Sequence, residues 1–135
     1  MIHLIMGLKG SGKTKKLIDS VNQAAASAQG SVVCIEYGSN LRYEIKSSVR
    51  LVDSKEYGIT NPDMLKGLLS GLHAGNYDIT NVYIDNLYKT IGVDRAAGEE
   101  FILWCAKFAE ANQMNITITV SDDPALASEE VKKYL

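Results

Sequence analysis

The sequence predicts an α/β fold, a mainly parallel sheet of about five strands with helices covering both faces. Three observations predict it. Short apolar, β-rich runs recur along the chain. Segments of helical period separate them, which is the pattern of parallel strands joined by helical crossovers. The first run passes directly into a glycine-rich turn and then a helical pattern, so the alternation starts at once.

The elements follow in order. Ile2-His3-Leu4-Ile5-Met6 is long enough for one buried strand. Lys15 to Ala28 reads as a helix, with Leu17, Ile18, Val21, Ala24, Ala25 and Ala28 at helical spacing. Val32 to Tyr37 follows the Gly30 stop signal and is a second strand. Val49 to Val52 is short and half polar, which suits an edge strand or its extension. Thr60-Asn61-Pro62-Asp63 is a helix start, with a cap residue, an early proline and an acid in the first turn. Met64, Leu65, Leu68, Leu69 and Leu72 then form one face. Val82-Tyr83-Ile84-Asp85 is a strand ending in a carboxylate, and Ile116 to Val120 is β-branched almost throughout. Between them, Gly98 to Asn112 carries a nearly continuous apolar stripe. Asp123-Pro124 caps an expected last helix that runs to Lys132-Lys133-Tyr134-Leu135. Gly38 to Ser48 is the one long irregular stretch. It either folds over a ligand or is a plain surface loop.

The 135 residues suit one domain, 1–135, with a real core. A hydrophobic share of 46% and a charged share of 22% are ordinary for a soluble globular protein. The net charge of −2 argues against a dedicated nucleic-acid binder, so no nucleic acid is expected as partner. Cys34 and Cys105 lie in apolar runs and read as buried thiols rather than a disulfide or metal pair. With no leader-like segment and no stretch long enough to span a membrane, a cytoplasmic protein is expected.

Gly7-Leu8-Lys9-Gly10-Ser11-Gly12-Lys13-Thr14 is a complete G-x-x-x-x-G-K-[ST] motif in its strand–loop–helix context. Its glycines let the backbone turn sharply, so that several N–H groups converge as a nest for anionic oxygens. The helix that follows adds its partial positive charge. Lys13 is expected to reach the β- and γ-phosphates of a nucleotide, and the Thr14 hydroxyl to bind Mg²⁺. Lys9, Lys15 and Lys16 make this corner positive. Asp85 supplies the carboxylate that such a metal needs, so Thr14 and Asp85 are the expected metal ligands. Asn86 follows Asp85 where many P-loop ATPases carry a water-polarising glutamate, and an amide cannot accept a proton. Asp122 and Asp123 are substitutes by position, although Asp123 fits better as a helix cap. Ser121 ends the neighbouring strand and could face a γ-phosphate or bond its own turn. Arg42, Arg50 and Arg95 are the candidates for an arginine finger.

Gly7–Thr14 and Val82–Asp85, in this order of elements, resemble the RecA-like branch of P-loop NTPases. The small size and the spacing of the two motifs are similar to type II thymidine kinases, and also to small bacterial ATP-binding proteins, some labelled PilT-like. The resemblance implies a three-layer P-loop NTPase fold. It implies nucleotide binding at Gly7, Gly10, Gly12, Lys13 and Thr14, with Asp85 near the metal. Leu8, Lys9 and Ser11 complete the expected binding loop, and Lys13 and Asp85 are the expected catalytic groups. The zinc-binding cysteines and thymidine lasso typical of the thymidine kinases have no counterpart. No N-K-x-D tetrad is present, so ATP is expected over GTP.

Three functions fit. The first is Mg-dependent ATP binding with slow hydrolysis, as a switch or as a subunit beside a protein partner or further copies of the chain. The second is a small-molecule, nucleoside-type kinase. The third is a non-catalytic nucleotide-binding module.

Overall fold

The structure, a computed structural model, describes Met1–Leu135. Its strands are β1 (Ile2–Gly7), β2 (Ser31–Glu36), β3 (Arg50–Asp53), β4 (Ile79–Ile84) and β5 (Asn115–Ser121). Its helices are α1 (Lys13–Ser27), α2 (Pro62–Gly75), α3 (Leu87–Ile91), α4 (Arg95–Ala111) and α5 (Glu129–Lys132). The strands form one sheet in the order β1-β5-β4-β2-β3, and every pair is parallel. No helix is long and apolar enough to cross a membrane.

Side-chain alternation divides the core in two. Leu4, Val33, Ile35, Val52, Val82, Ile84, Ile116, Ile118 and Val120 point to the face covered by α2, α3 and α4. Val32, Cys34 and Tyr83 point to the other face, under Leu17 and Val21 of α1. Helices therefore lie on both faces, as the alternation of elements predicts.

Local chemistry explains most boundaries. Asn61 caps α2 by accepting from the Met64 N–H at 2.8 Å, with Pro62 opening the first turn. Asp94 caps α4 in the same way through the Ala97 N–H at 3.0 Å, so that helix starts three residues before the expected Gly98. The five-residue α3 is too short for any periodicity to announce it. It lies between Asn86 and Gly92, both at positive φ (52° and 62°).

The C-terminal helix expected after Asp123 is not continuous. Asp123 does cap, accepting from the Ala125 N–H at 2.9 Å, but what it caps is a 3₁₀ turn, Pro124–Leu126. Ala127 and Ser128 are then extended, and α5 is a single turn. Tertiary contacts cause the break. Glu99 of α4 accepts from the Ser128 N–H at 3.0 Å, and Ala127 and Val131 are both buried in the larger core.

The stretch after β2 is neither a lid nor a plain surface loop. Leu41, Ile45 and Val49 are buried against α1. Asn22 of α1 clamps it, donating to the Glu44 carbonyl at 2.8 Å and accepting from the Lys46 N–H at 2.9 Å. The segment does the work of a missing helix on that face.

Candidate functional site

The glycine-rich loop leaves the carboxyl end of β1 and enters α1 at Lys13. Gly10 and Gly12 sit at φ 87° and 84°, where a side chain would be strained, so these two positions need glycine for the loop to close. Lys13 is buried. Its ammonium folds back across the loop and donates to the Leu8 carbonyl at 3.1 Å. Leu8 itself points outward and is 63% exposed.

Across the sheet, Asp85 is held from several sides. Its N–H donates to the Ile35 carbonyl at 2.9 Å, and its own carbonyl accepts from the Thr90 hydroxyl at 3.1 Å. The Thr119 hydroxyl donates to Asp85 Oδ1 at 2.7 Å and accepts from the Asn86 N–H at 2.7 Å. Thr119 thus uses its one proton to orient the carboxylate and its lone pair to hold the turn after β4. Asp85 Oδ2 keeps its acceptor capacity.

These groups meet in one cleft of about 420 Å³ with no hydrophobic residue in its lining. It is lined by Lys9, Gly10, Gly12, Lys13, Thr14 and Lys15 on one side, and by Asp85, Asn86, Thr119 and Ser121 on the other. Lys9, Lys13 and Lys15 line it with one carboxylate, Asp85, and although Lys15 also pairs with Asp19 at 3.7 Å the balance favours an anion. Of the residues expected at the site, Gly7, Leu8 and Ser11 belong to the loop without lining the cleft. The structure's largest cleft, about 850 Å³, is elsewhere, at the amino end of β1 between α4 and the C-terminal residues. It gathers none of the motif residues, so size does not identify the site.

The other expected residues do not line the cleft. Arg95 makes a bidentate pair with Asp122, at 2.7 and 3.0 Å, which holds that carboxyl below its usual range. Arg42 lies over the Tyr43 ring at 4.8 Å, and Arg50 is exposed on the edge strand β3. The thiols of Cys34 and Cys105 are free and buried, and burial pushes both far up.

Two residues were missed by sequence reasoning. Thr119 looked like an ordinary β-branched strand residue. Glu36 ends β2, whose neighbour β4 ends at Ile84, one residue before Asp85. It is buried, and its carboxylate accepts from the Asn40 N–H at 2.9 Å and the Leu41 N–H at 3.0 Å. Burial raises its pKa, those two bonds oppose the rise, and the charges of Asp85 and Asp53 add to it. The only available signal was a charged residue closing an apolar strand.

No protein-family model matches the chain, and no curated protein matches it in sequence.

Proposed function

We propose that this protein binds a nucleoside triphosphate with Mg²⁺ through Gly7–Thr14 and hydrolyses it slowly, as a switch or as a subunit of an assembly in the manner of P-loop NTPases. The observation that carries the reading is the convergence of Lys13, Thr14, Asp85, Thr119 and Ser121 on one polar cleft. Backbone N–H groups of the loop and the start of the 15-residue α1 favour phosphate oxygens there. Lys13 adds a point charge that can leave the Leu8 carbonyl for a phosphate.

The residues suit Mg²⁺ of the kind a nucleotide brings with it. No cluster of three or more metal-binding side chains exists to hold an ion alone. The Thr14 hydroxyl and the free oxygen of Asp85 supply two oxygen positions, which fits an ion that takes its remaining ligands from phosphate and water. Bound there, the ion would neutralise charge developing on the phosphates.

Slow turnover follows from the groups near the cleft. Asn86 cannot accept a proton. Glu36 can, but it already accepts two backbone hydrogen bonds and does not line the cleft. ATP is favoured over GTP because the chain has no N-K-x-D tetrad.

The test is calorimetry with ATP and GTP, with and without Mg²⁺, on the parent and on Lys13→Ala. Removing a charge-assisted contact of about 1.5–3 kcal/mol should weaken binding at least about tenfold. Equal affinity in the two proteins would end this reading.

A further inference from the structure

We propose that the free edge of β1 is a docking site for an extended peptide segment of a partner protein, in which apolar and acidic residues alternate. β1 pairs only with β5, so its other side is an edge of the sheet. The Ile116 N–H donates to the Met1 carbonyl at 2.9 Å, which fixes the direction of the backbone groups. Met1, His3 and Ile5 turn theirs to β5, and Ile2, Leu4 and Met6 turn theirs outwards. Of these outward groups only the Leu4 N–H has a backbone partner, the Tyr134 carbonyl at 2.8 Å. An open row of this kind is a template for a further strand.

The edge lies between two clefts, one on each face of the sheet. The cleft of about 850 Å³ is on the α4 side, where Ile2, Leu103 and Ala106 line it. A second, of about 480 Å³, is on the α1 side, where Ile5, Lys16 and Ser20 line it. Side chains of a strand alternate between faces. A strand laid beside β1 therefore sends every second side chain into each cleft, and this arrangement carries the proposal.

The linings set the chemistry of the segment. In the larger cleft Lys107 and Lys133 are balanced by Glu110 and Glu130, so the apolar residues decide what enters. The smaller cleft has Lys16 and no Asp or Glu side chain, which suits an acidic residue. Ile5 beside it is half-buried and belongs to neither apolar core, so the stem of that residue has an apolar neighbour.

Tyr134 shows how the edge receives a strand. Its carbonyl meets the Leu4 N–H as a ladder bond does, and Leu135 lines both clefts. These two residues occupy part of the path of the peptide, so they form a strap that the peptide displaces.

The test is an NMR titration of the ¹⁵N-labelled full chain with acetyl-Val-Glu-Val-Glu-Val-Glu-amide. Saturable shifts along residues 2–6 are expected, and the Ile2 and Met6 amides should gain protection from hydrogen exchange. The same peptide with every amide N-methylated keeps the side chains but has no backbone donor, and it should not bind. Ala106→Glu on one face and Lys16→Glu on the other should each weaken binding about tenfold, and removal of Tyr134 and Leu135 should tighten it severalfold. The unshifted remainder of each spectrum reports that the variant is folded. No response, a response confined to residues 7–14, or equal binding of the N-methylated peptide would overturn the proposal. So would protection of Ile2 and Met6 that rises with protein concentration and ignores the peptide, which would give the edge to a second copy of the chain. The proposal is independent of the nucleotide reading, since none of these measurements uses nucleotide.

Discussion

The two faces of the sheet are built on different principles. One carries a cluster of 22 buried apolar residues under α2, α3 and α4. The other carries nine, under α1 and the clamped segment after β2. All the strand-end chemistry has the parity of the thinner face. Ser121 and Thr119 alternate with Ile118 and Val120 of the thick core, Asp85 follows Ile84, Glu36 follows Ile35, and Asp53 follows Val52. A carboxylate or hydroxyl turned into the thick face would be buried without partners, at a cost of several kcal/mol in the worst case. On the thin face the carboxyl ends of the strands open towards the glycine-rich loop, so polar groups find hydrogen bonds. One face carries most of the core and the other carries the candidate site.

The largest expected effect separates these roles. Phe101→Ala empties a fully buried position in the thick core and should lower stability by about 3–5 kcal/mol in urea unfolding. Under the proposed function, Mg-ATP affinity of the folded protein should stay at the parental value. A loss of affinity parallel to the loss of stability would show that the faces are not separable.

Thr119 tests the thin face. Thr119→Val keeps the shape but leaves the Asp85 carboxylate and the Asn86 N–H each without a partner, which costs about 1–3 kcal/mol. Under the proposed function it should also weaken Mg-dependent nucleotide binding about tenfold, while Thr119→Ser should retain most of both. Calorimetry with and without Mg²⁺, beside thermal melts, checks this. Equal behaviour of the two variants would remove Thr119 from the site.

Asn86 sharpens the comparison, because its backbone and its side chain have separate roles. At φ 52° asparagine is tolerated and glutamate is strained by about 1–2 kcal/mol. Asn86→Gly should be near parental in stability, with no gain in turnover. Under the proposed function, Asn86→Glu should lose stability yet form ADP faster at saturating Mg-ATP, since it places a second carboxylate beside Asp85. Normal binding without faster turnover in Asn86→Glu would place the missing base elsewhere.

The smallest effects are in pH dependence, and their signs are opposite. The Asp122 pKa is lowered, first by its hydrogen bond to Arg95. Its stabilisation is complete above the ordinary carboxylate pKa of about 3.9 and fades as pH falls through the lower folded value. The Glu36 pKa is raised, mainly by burial. Its contribution is complete below about 4.3 and fades as pH rises through the higher folded value. Arg95→Ala should therefore flatten the acid limb of the stability profile, and Glu36→Gln the decline above it. Unfolding free energies across this range would show whether the two limbs respond separately.

The sheet and the glycine-rich loop were legible because each rests on short-range information. Strand runs, caps such as Asn61, and the Gly7–Thr14 spacing need only their neighbours in the chain. The α3 helix was not legible, because five residues between two left-handed positions carry no period. The break before α5 was hidden for another reason. Glu99 and the thick core impose it from more than 25 residues away in sequence, through a bond spanning 29 residues. Thr119 and Glu36 were hidden because their residue types are equally at home in any strand or strand end.

By itself the sequence determined the α/β alternation, the edge position of β3, and which loop could turn tightly enough to present converging N–H groups. Those follow from side-chain chemistry at nearby positions. Only the tertiary structure decided that Thr119 meets Asp85 and that Glu36 stands beside it, since these depend on strand order and register. It also decided that residues after β2 would replace a helix on the thin face. Strand neighbours such as β4 and β5 are brought together by burial of apolar surface, which carries no direction along the chain. The partners of a polar strand end are therefore settled only when the sheet assembles.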